Sequence, residues 1–213
     1  MSDTPNKSRR SYWLKTLHQW HWISSAIALI GLLLFSITGV TLNHAAHLDV
    51  EPRIVTQKVQ LPVDLQSKIW ALGMKFEADQ TLPALPIPLQ DWLNETLSID
   101  ISDSTIEWSG HELYLSMPRP GGDAWLSIIL EDGSIEYQNT DRGWLAYFND
   151  LHKGRHTGPA WGWFIDIVAG ACLLFSITGL FILKMHAKNR PSTWPLVGLG
   201  LLVPMLIAIL FIH

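Results

Sequence analysis

Nine histidines stand in this chain of 213 residues, and they are the side chains whose type and spacing could do chemistry. His18 and His21 are three apart, as are His44 and His47; His152 and His156 are four apart; His186 stands alone. On a continuous helix, spacings of three and four put both side chains on one face. A neutral imidazole offers one ring nitrogen as a ligand while the other, protonated, is fixed by a carbonyl or carboxylate. Two such rings facing each other from different helices suit the two axial positions of a haem iron. Two readings stay open beside that one. Zinc or copper would want three or four protein ligands for a closed site, and a boundary histidine can be an anchor with no ligand at all.

The elements that must position these rings are apolar. No Asp, Glu, Lys or Arg occurs from Thr16 to Leu48, from Ile167 to Leu183, or from Pro191 to His213. Runs of this length match the ~20 residues a helix needs to cross a bilayer. The fold class expected is a mainly α membrane protein: three transmembrane helices, with a small α+β extracytoplasmic domain inserted between helices 1 and 2. The expected division is a cytoplasmic N-terminus over 1–21, helix 1 over 22–42, the outer domain over 43–160, helix 2 over 161–183, a cytoplasmic loop over 184–193, and helix 3 over 194–212. Trp20, Trp22, Trp161, Trp163 and Trp194 mark the span ends as interfacial anchors. The first run lacks a small-x-small cleavage site and is read as a retained helix, not a signal peptide. Lys7, Arg9, Arg10 and Lys15, and later Lys184, Lys188 and Arg190, place those flanks in the cytoplasm, with the large loop and His213 outside. Of the 19 acidic residues, 17 lie in that loop. In a bacterium this describes a multi-pass inner-membrane protein with a periplasmic domain.

Within the loop, residues 62–78 read as an amphipathic helix with Leu65, Ile69, Leu72 and Phe76 on one stripe. Residues 80–90 are Pro-rich and read as irregular. Alternating runs at 97–101, 112–117 and 124–130 read as strands, with turns at Pro118–Asp123 and Asp132-Gly133 before Ile135-Glu136-Tyr137. A short helix near 141–151 leads back to the membrane. The hexamer Leu34-Phe35-Ser36-Ile37-Thr38-Gly39 recurs as Leu174-Phe175-Ser176-Ile177-Thr178-Gly179. Small and hydroxyl residues let membrane helices approach closely, so the first two spans are expected to pack through these faces.

That topology sorts the histidines. His44 or His47 would face His152 or His156 at the outer boundary, and His18 or His21 would face His186 at the inner one. His18 to His44 spans 26 residues, about 39 Å along a straight helix, which is long for electron transfer between two end-bound haems. Inward-lying macrocycles, tilt or a bound intermediary would have to shorten it. Asp166, inside the second span, reads as an acceptor behind an outer histidine or part of a proton path, or else as a carboxylate paired with Arg155.

Several classes are excluded. A net charge of −4 and a pI near 6.1 argue against nucleic acid as a partner. There is no dinucleotide fingerprint, phosphate loop, nucleophile elbow or His-Glu-x-x-His helix. The lone Cys172 leaves no cysteine pair for an iron–sulfur cluster or disulfide. Electrons, if carried, would come from quinol or a protein donor.

At these same residues the chain resembles the PepSY-associated transmembrane-helix family. The motifs are Leu17-His18-Gln19-Trp20, Thr38-Gly39-Val40-Thr41-Leu42-Asn43-His44 and Leu151-His152-Lys153-Gly154-Arg155. The outer domain, closing in Leu130-Glu131-Asp132-Gly133-Ser134-Ile135, resembles a PepSY-type module. Larger relatives include inner-membrane ferric-siderophore reductases that hold b-type haem on transmembrane histidines. The resemblance therefore implies haem b, one or two, and an electron-transfer protein serving a ferric chelate or a periplasmic acceptor, as a component of a ferric-reductase-type oxidoreductase. It singles out His18, His44 and His152 as ligands; His21, His47, His156 and His186 enter through spacing alone. Three spans instead of four or more imply a homo-oligomer or partner subunit to complete the bundle. The alternatives are a membrane-anchored PepSY-type binding or regulatory module without catalysis, and a metal-uptake accessory.

Overall fold

A charge-free apolar segment in a bilayer can satisfy its backbone only as helix, and these segments do so. The computed structural model describes residues 4–48, 51–79, 85–102 and 104–212. Helix α1 runs Thr4–Asn43, α5 runs Gly158–His186 and α6 runs Thr193–Phe211. Ser11–Asn43 and all of α5 and α6 are long and apolar enough to cross a membrane. The chain is thus a multi-pass membrane protein, with three spanning helices and a small sheet domain between the first and second. Helix α1 starts well before residue 22, because Pro5 favours the first turn and nothing from Asn6 to Ile30 breaks the helix. His213 lies outside the described residues.

The chain forms two compact units, Met1–Phe35 with Trp163–His213, and Ser36–Gly162. In the first, α1 and α5 run antiparallel. Gly31 lies against Val168, and the Phe35 and Phe164 rings stack at 6.4 Å. A Cβ on Gly31 would come within 2.6 Å of a Val168 methyl, so close approach requires glycine there. No residue of α6 is buried.

The second unit holds the sheet domain. Strands β1 (Arg53–Gln60), β2 (Thr105–Trp108), β3 (Glu112–Arg119), β4 (Gly122–Ile129) and β5 (Ser134–Asp141) form one antiparallel sheet in the order β1-β5-β4-β3-β2. Helices α2 (Val63–Asp79) and α3 (Ile87–Leu97) supply Leu65, Ile69, Leu89 and Leu93 to a core. Alternate strand residues Leu113, Leu115, Leu126, Ile128 and Ile135 complete it from one face of the sheet. The side chain of Phe76, assigned to the α2 stripe, lies outside the described residues.

Two expectations fail. Residues 97–101 are no strand: Leu97 ends α3, Ser98 takes a left-handed conformation (φ 56°), and Ile99 and Ile101 are buried without a ladder partner. The Pro-rich stretch is not irregular to its end, since Pro86 and Pro88 open α3. Helix α4 (Gly143–Lys153) closes the unit. It rests on the β3–β4 turn, where the Gly121 N–H donates to Asp150 Oδ2 at 2.9 Å. Gly121 has φ +74°, and a side chain there would meet Tyr147.

Candidate functional site

The histidines fall into two sets, one in each unit. The first comprises His18 and His21 on α1 and His186 on α5. Antiparallel packing brings the His18 and His186 rings face to edge, with centroids 6.2 Å apart and planes at 89°. Each is held the same way. His18 Nδ1 lies 2.8 Å from the Leu14 carbonyl, and His186 Nδ1 lies 2.9 Å from the Ile182 carbonyl, both one turn back along their own helices. A carbonyl only accepts, so Nδ1 carries the proton and Nε2 the lone pair. Both rings are exposed.

His21 has a different setting. Its ring stacks on Phe175 with centroids 4.5 Å apart, and its Nδ1 sits 3.0 Å from Thr178 Oγ1 and 3.2 Å from the Phe175 carbonyl. The buried Thr178 hydroxyl lies 2.8 Å from the Leu174 carbonyl and donates there, so its oxygen accepts from His21. Gly179 leaves room for the ring: a Cβ on it would lie 3.3 Å from His21 Cε1.

The second set comprises His44 and His47 at the end of α1 and His152 and His156 around the end of α4. His44 Nδ1 lies 3.0 Å from the Val40 carbonyl, the same one-turn-back bond. Its ring neighbour is His47, at 6.5 Å and 54°, from the 3-10 turn that follows α1. His152 Nδ1 lies 2.7 Å from Thr38 Oγ1, and a Cβ on Gly39 would sit 3.4 Å from His152 Cε1. Beside it, the Thr41 hydroxyl donates to Asn149 Oδ1 at 3.2 Å, joining α4 to α1 a second time. Among the described residues no ring contact joins His44 or His47 to His152 or His156.

His156 adopts φ +56° in the turn before α5, and Arg155 Nε donates to its Nε2 at 3.2 Å. That bond occupies the nitrogen a metal would use. Arg155 is thereby directed to its neighbour. Asp166 is exposed on α5 and makes no hydrogen bond or ion pair among the described residues. Nor does any cluster of three or more metal-ligating side chains occur among them. The donor sets therefore consist of imidazole pairs, which suit a haem better than a closed zinc site.

The residues that sequence reasoning passed over are Thr38 and Thr178. The repeated hexamer flagged both, but as a contact between the two spans. In the structure the α5 copy packs on α1 through His21, Phe35 of the α1 copy stacks on Phe164 of α5, and Thr38 faces His152 of α4. Helices that run antiparallel keep their C-terminal halves at opposite ends, so the two copies cannot meet.

A model of the PepSY_TM-like family matches residues 12–213. No curated protein and no solved structure matches the chain.

Proposed function

Because the chain belongs to the PepSY_TM-like family over almost its whole length, we propose that it is a haem-binding electron-transfer protein of the bacterial inner membrane. It carries electrons outward to a ferric chelate or a periplasmic redox partner, as a component of a ferric-reductase-type system. The observation that carries this reading is the His18–His186 pair: two imidazoles from two helices, each with Nδ1 committed to a carbonyl. The ring centroids lie 6.2 Å apart, and the nitrogen opposite each Nδ1 would be the one left to hold an iron.

His18 and His186 would hold the haem. The Leu14 and Ile182 carbonyls fix their rotation and raise their basicity. When bound, haem b supplies a one-electron couple whose potential follows from bis-imidazole ligation and apolar surroundings. His44, His47 and His152 are the residues for a second haem. Basic residues in the N-terminal part of α1 and around the α5–α6 turn favour the cytoplasmic side for the first set, where quinol or a protein donor would deliver electrons. The sheet domain, with most of the chain's acid, meets the acceptor outside.

The test is absorption spectroscopy of the full chain purified in detergent after expression with ample haem. Sharp reduced-minus-oxidised bands of a b-type haem, with at least one haem per chain, are expected. A colourless protein would reject the reading and leave an anchored PepSY-type binding module.

A further inference from the structure

The same six residues occur twice, and each copy holds a histidine in the same way. In α5, Thr178 meets His21 Nδ1 at 3.0 Å, and Gly179 leaves its Cε1 3.3 Å from where a Cβ would stand. In α1, Thr38 meets His152 Nδ1 at 2.7 Å, and Gly39 leaves its Cε1 3.4 Å from the same point. Both threonines are buried, at 4% and 6% exposure. Two independent packing accidents would not be expected to select the same nitrogen, the same ring carbon and the same adjacent pair of residues. Nothing in the bare hexamer requires a histidine, because the two rings come from unrelated places: the middle of a long helix and the last turn of a short one.

We infer that Leu-Phe-Ser-Ile-Thr-Gly is a duplicated histidine seat, and that Thr38 and Thr178 are positioning residues, Thr38 for His152 directly and Thr178, through His21, for the His18–His186 pair. The threonine side chain binds Nδ1, and the following glycine lets the ring lie flush on the helix. In the α5 copy the protonated nitrogen follows directly. The Phe175 carbonyl at 3.2 Å can only accept, so His21 carries a proton on Nδ1.

The seats act at different levels. His21 stands one turn from His18 on α1, and Thr178 stands two turns from His186 on α5. Locking 21 against 178 fixes the register that sets the His18 ring opposite the His186 ring. Thr38 fixes α4 on the last turns of α1, and with it His152, the histidine on the Leu151–Arg155 motif. Glycine contributes too: an alanine at 179 would push the His21 ring off by a few tenths of an ångström, and one at 39 would sit in contact with the His152 ring. The role assigned toward haem rests on the function proposed above; the seats themselves do not.

Two measurements keep those apart. The first uses full-length protein, labelled with 15N in histidine, prepared haem-free in detergent micelles. Ring nitrogen shifts report the tautomer of each imidazole. Wild type is expected to show His21 protonated at Nδ1 and His152 with Nδ1 hydrogen-bonded. Thr178→Val should shift the ring nitrogens of His21 alone, and Thr38→Val those of His152 alone, through loss of the hydroxyl at Nδ1, while Thr178→Ser and Thr38→Ser retain the wild-type shifts. Unmoved shifts in both valine variants, or equal changes in the serine variants, would overturn the seats. The second measurement is redox titration of haem-loaded protein. Thr178→Val should shift the midpoint potential of the haem on His18 and His186, with rescue by serine. Thr38→Val should weaken the haem on His152 by about 10–100-fold. Ring-nitrogen shift changes with an unmoved potential and unchanged haem affinity would overturn the positioning role. Shift changes in a protein that takes up no haem would leave the seats and remove the haem reading alone.

Discussion

The two histidine sets use the same residue type in two constructions. His18 and His186 belong to different helices and meet because α1 and α5 pack along their length, with Gly31 admitting Val168. His44 and His47 belong to one stretch of chain and meet because they are three residues apart across a helix end. A pair drawn from two helices can approach an iron from opposite faces. A pair drawn from one short segment presents both nitrogens from the same side and needs a third residue opposite. The difference teaches that regular spacing is a poor guide to ligation on its own. Packing decides which of several well-spaced imidazoles confront each other.

Four experiments break or sharpen this contrast. The largest effect is expected from His186→Ala or His18→Ala, each of which should lower haem per chain by about half or more, while His156→Ala, whose Nε2 already meets Arg155, leaves it near wild type; pyridine haemochrome assay against protein concentration measures this. Next comes the sheet domain. Leu126→Ala or Ile128→Ala removes a fully buried side chain and should cost about 2–5 kcal/mol in that unit. Thermal unfolding followed by circular dichroism should fall, with the haem spectrum unchanged in the folded fraction. Gly31→Leu should cost about 1–3 kcal/mol by overpacking. It should also broaden the α-band of the reduced haem by forcing α1 from α5, whereas Gly198→Leu on α6, where a Cβ meets nothing within 4 Å, should not.

The smallest effect concerns acid. Asp132 accepts the Ser134 N–H at 2.8 Å, and that bond holds its carboxyl below the ordinary carboxylate range. The stability it adds is therefore complete above the unfolded-state value, near pH 4, and is lost as pH falls through the lowered folded-state value. Asp132→Asn should flatten the acid limb of the sheet domain's stability profile below about pH 4 and leave neutral-pH haem binding alone.

Much of the architecture was legible because the bilayer and the core impose strong patterns. The three charge-free runs could only be spans, and residues 62–78 fall one position from α2. Strands β3 and β4 alternate cleanly because one face is buried and the other is not. Strand β1 was illegible for the complementary reason. As an edge strand it is exposed on both faces except at Val59, so Arg53–Gln60 shows no alternation that burial would enforce. The run at 97–101 misled because burial of Ile99 and Ile101 produces alternation without a ladder.

At the site, the grouping of His18, His21 and His186 could be anticipated from topology, since consecutive spans run in opposite directions. That His18, not His21, would face His186 could not be, because it depends on the one-turn offset set by Thr178. Likewise the hexamer repeat was visible as sequence, but its partner was not. Which surface a small-residue face meets is fixed by register, and register is a property of the packed pair.

Low-temperature electron paramagnetic resonance of the oxidised, full-length protein tests the central claim most directly, because it reads both the ligands and their mutual angle. Imidazole planes near 89° predict a low-spin ferric signal of the highly anisotropic type, lost in both His18→Ala and His186→Ala. A protein without ferric haem, a high-spin signal, or a low-spin signal indifferent to both substitutions would contradict the account.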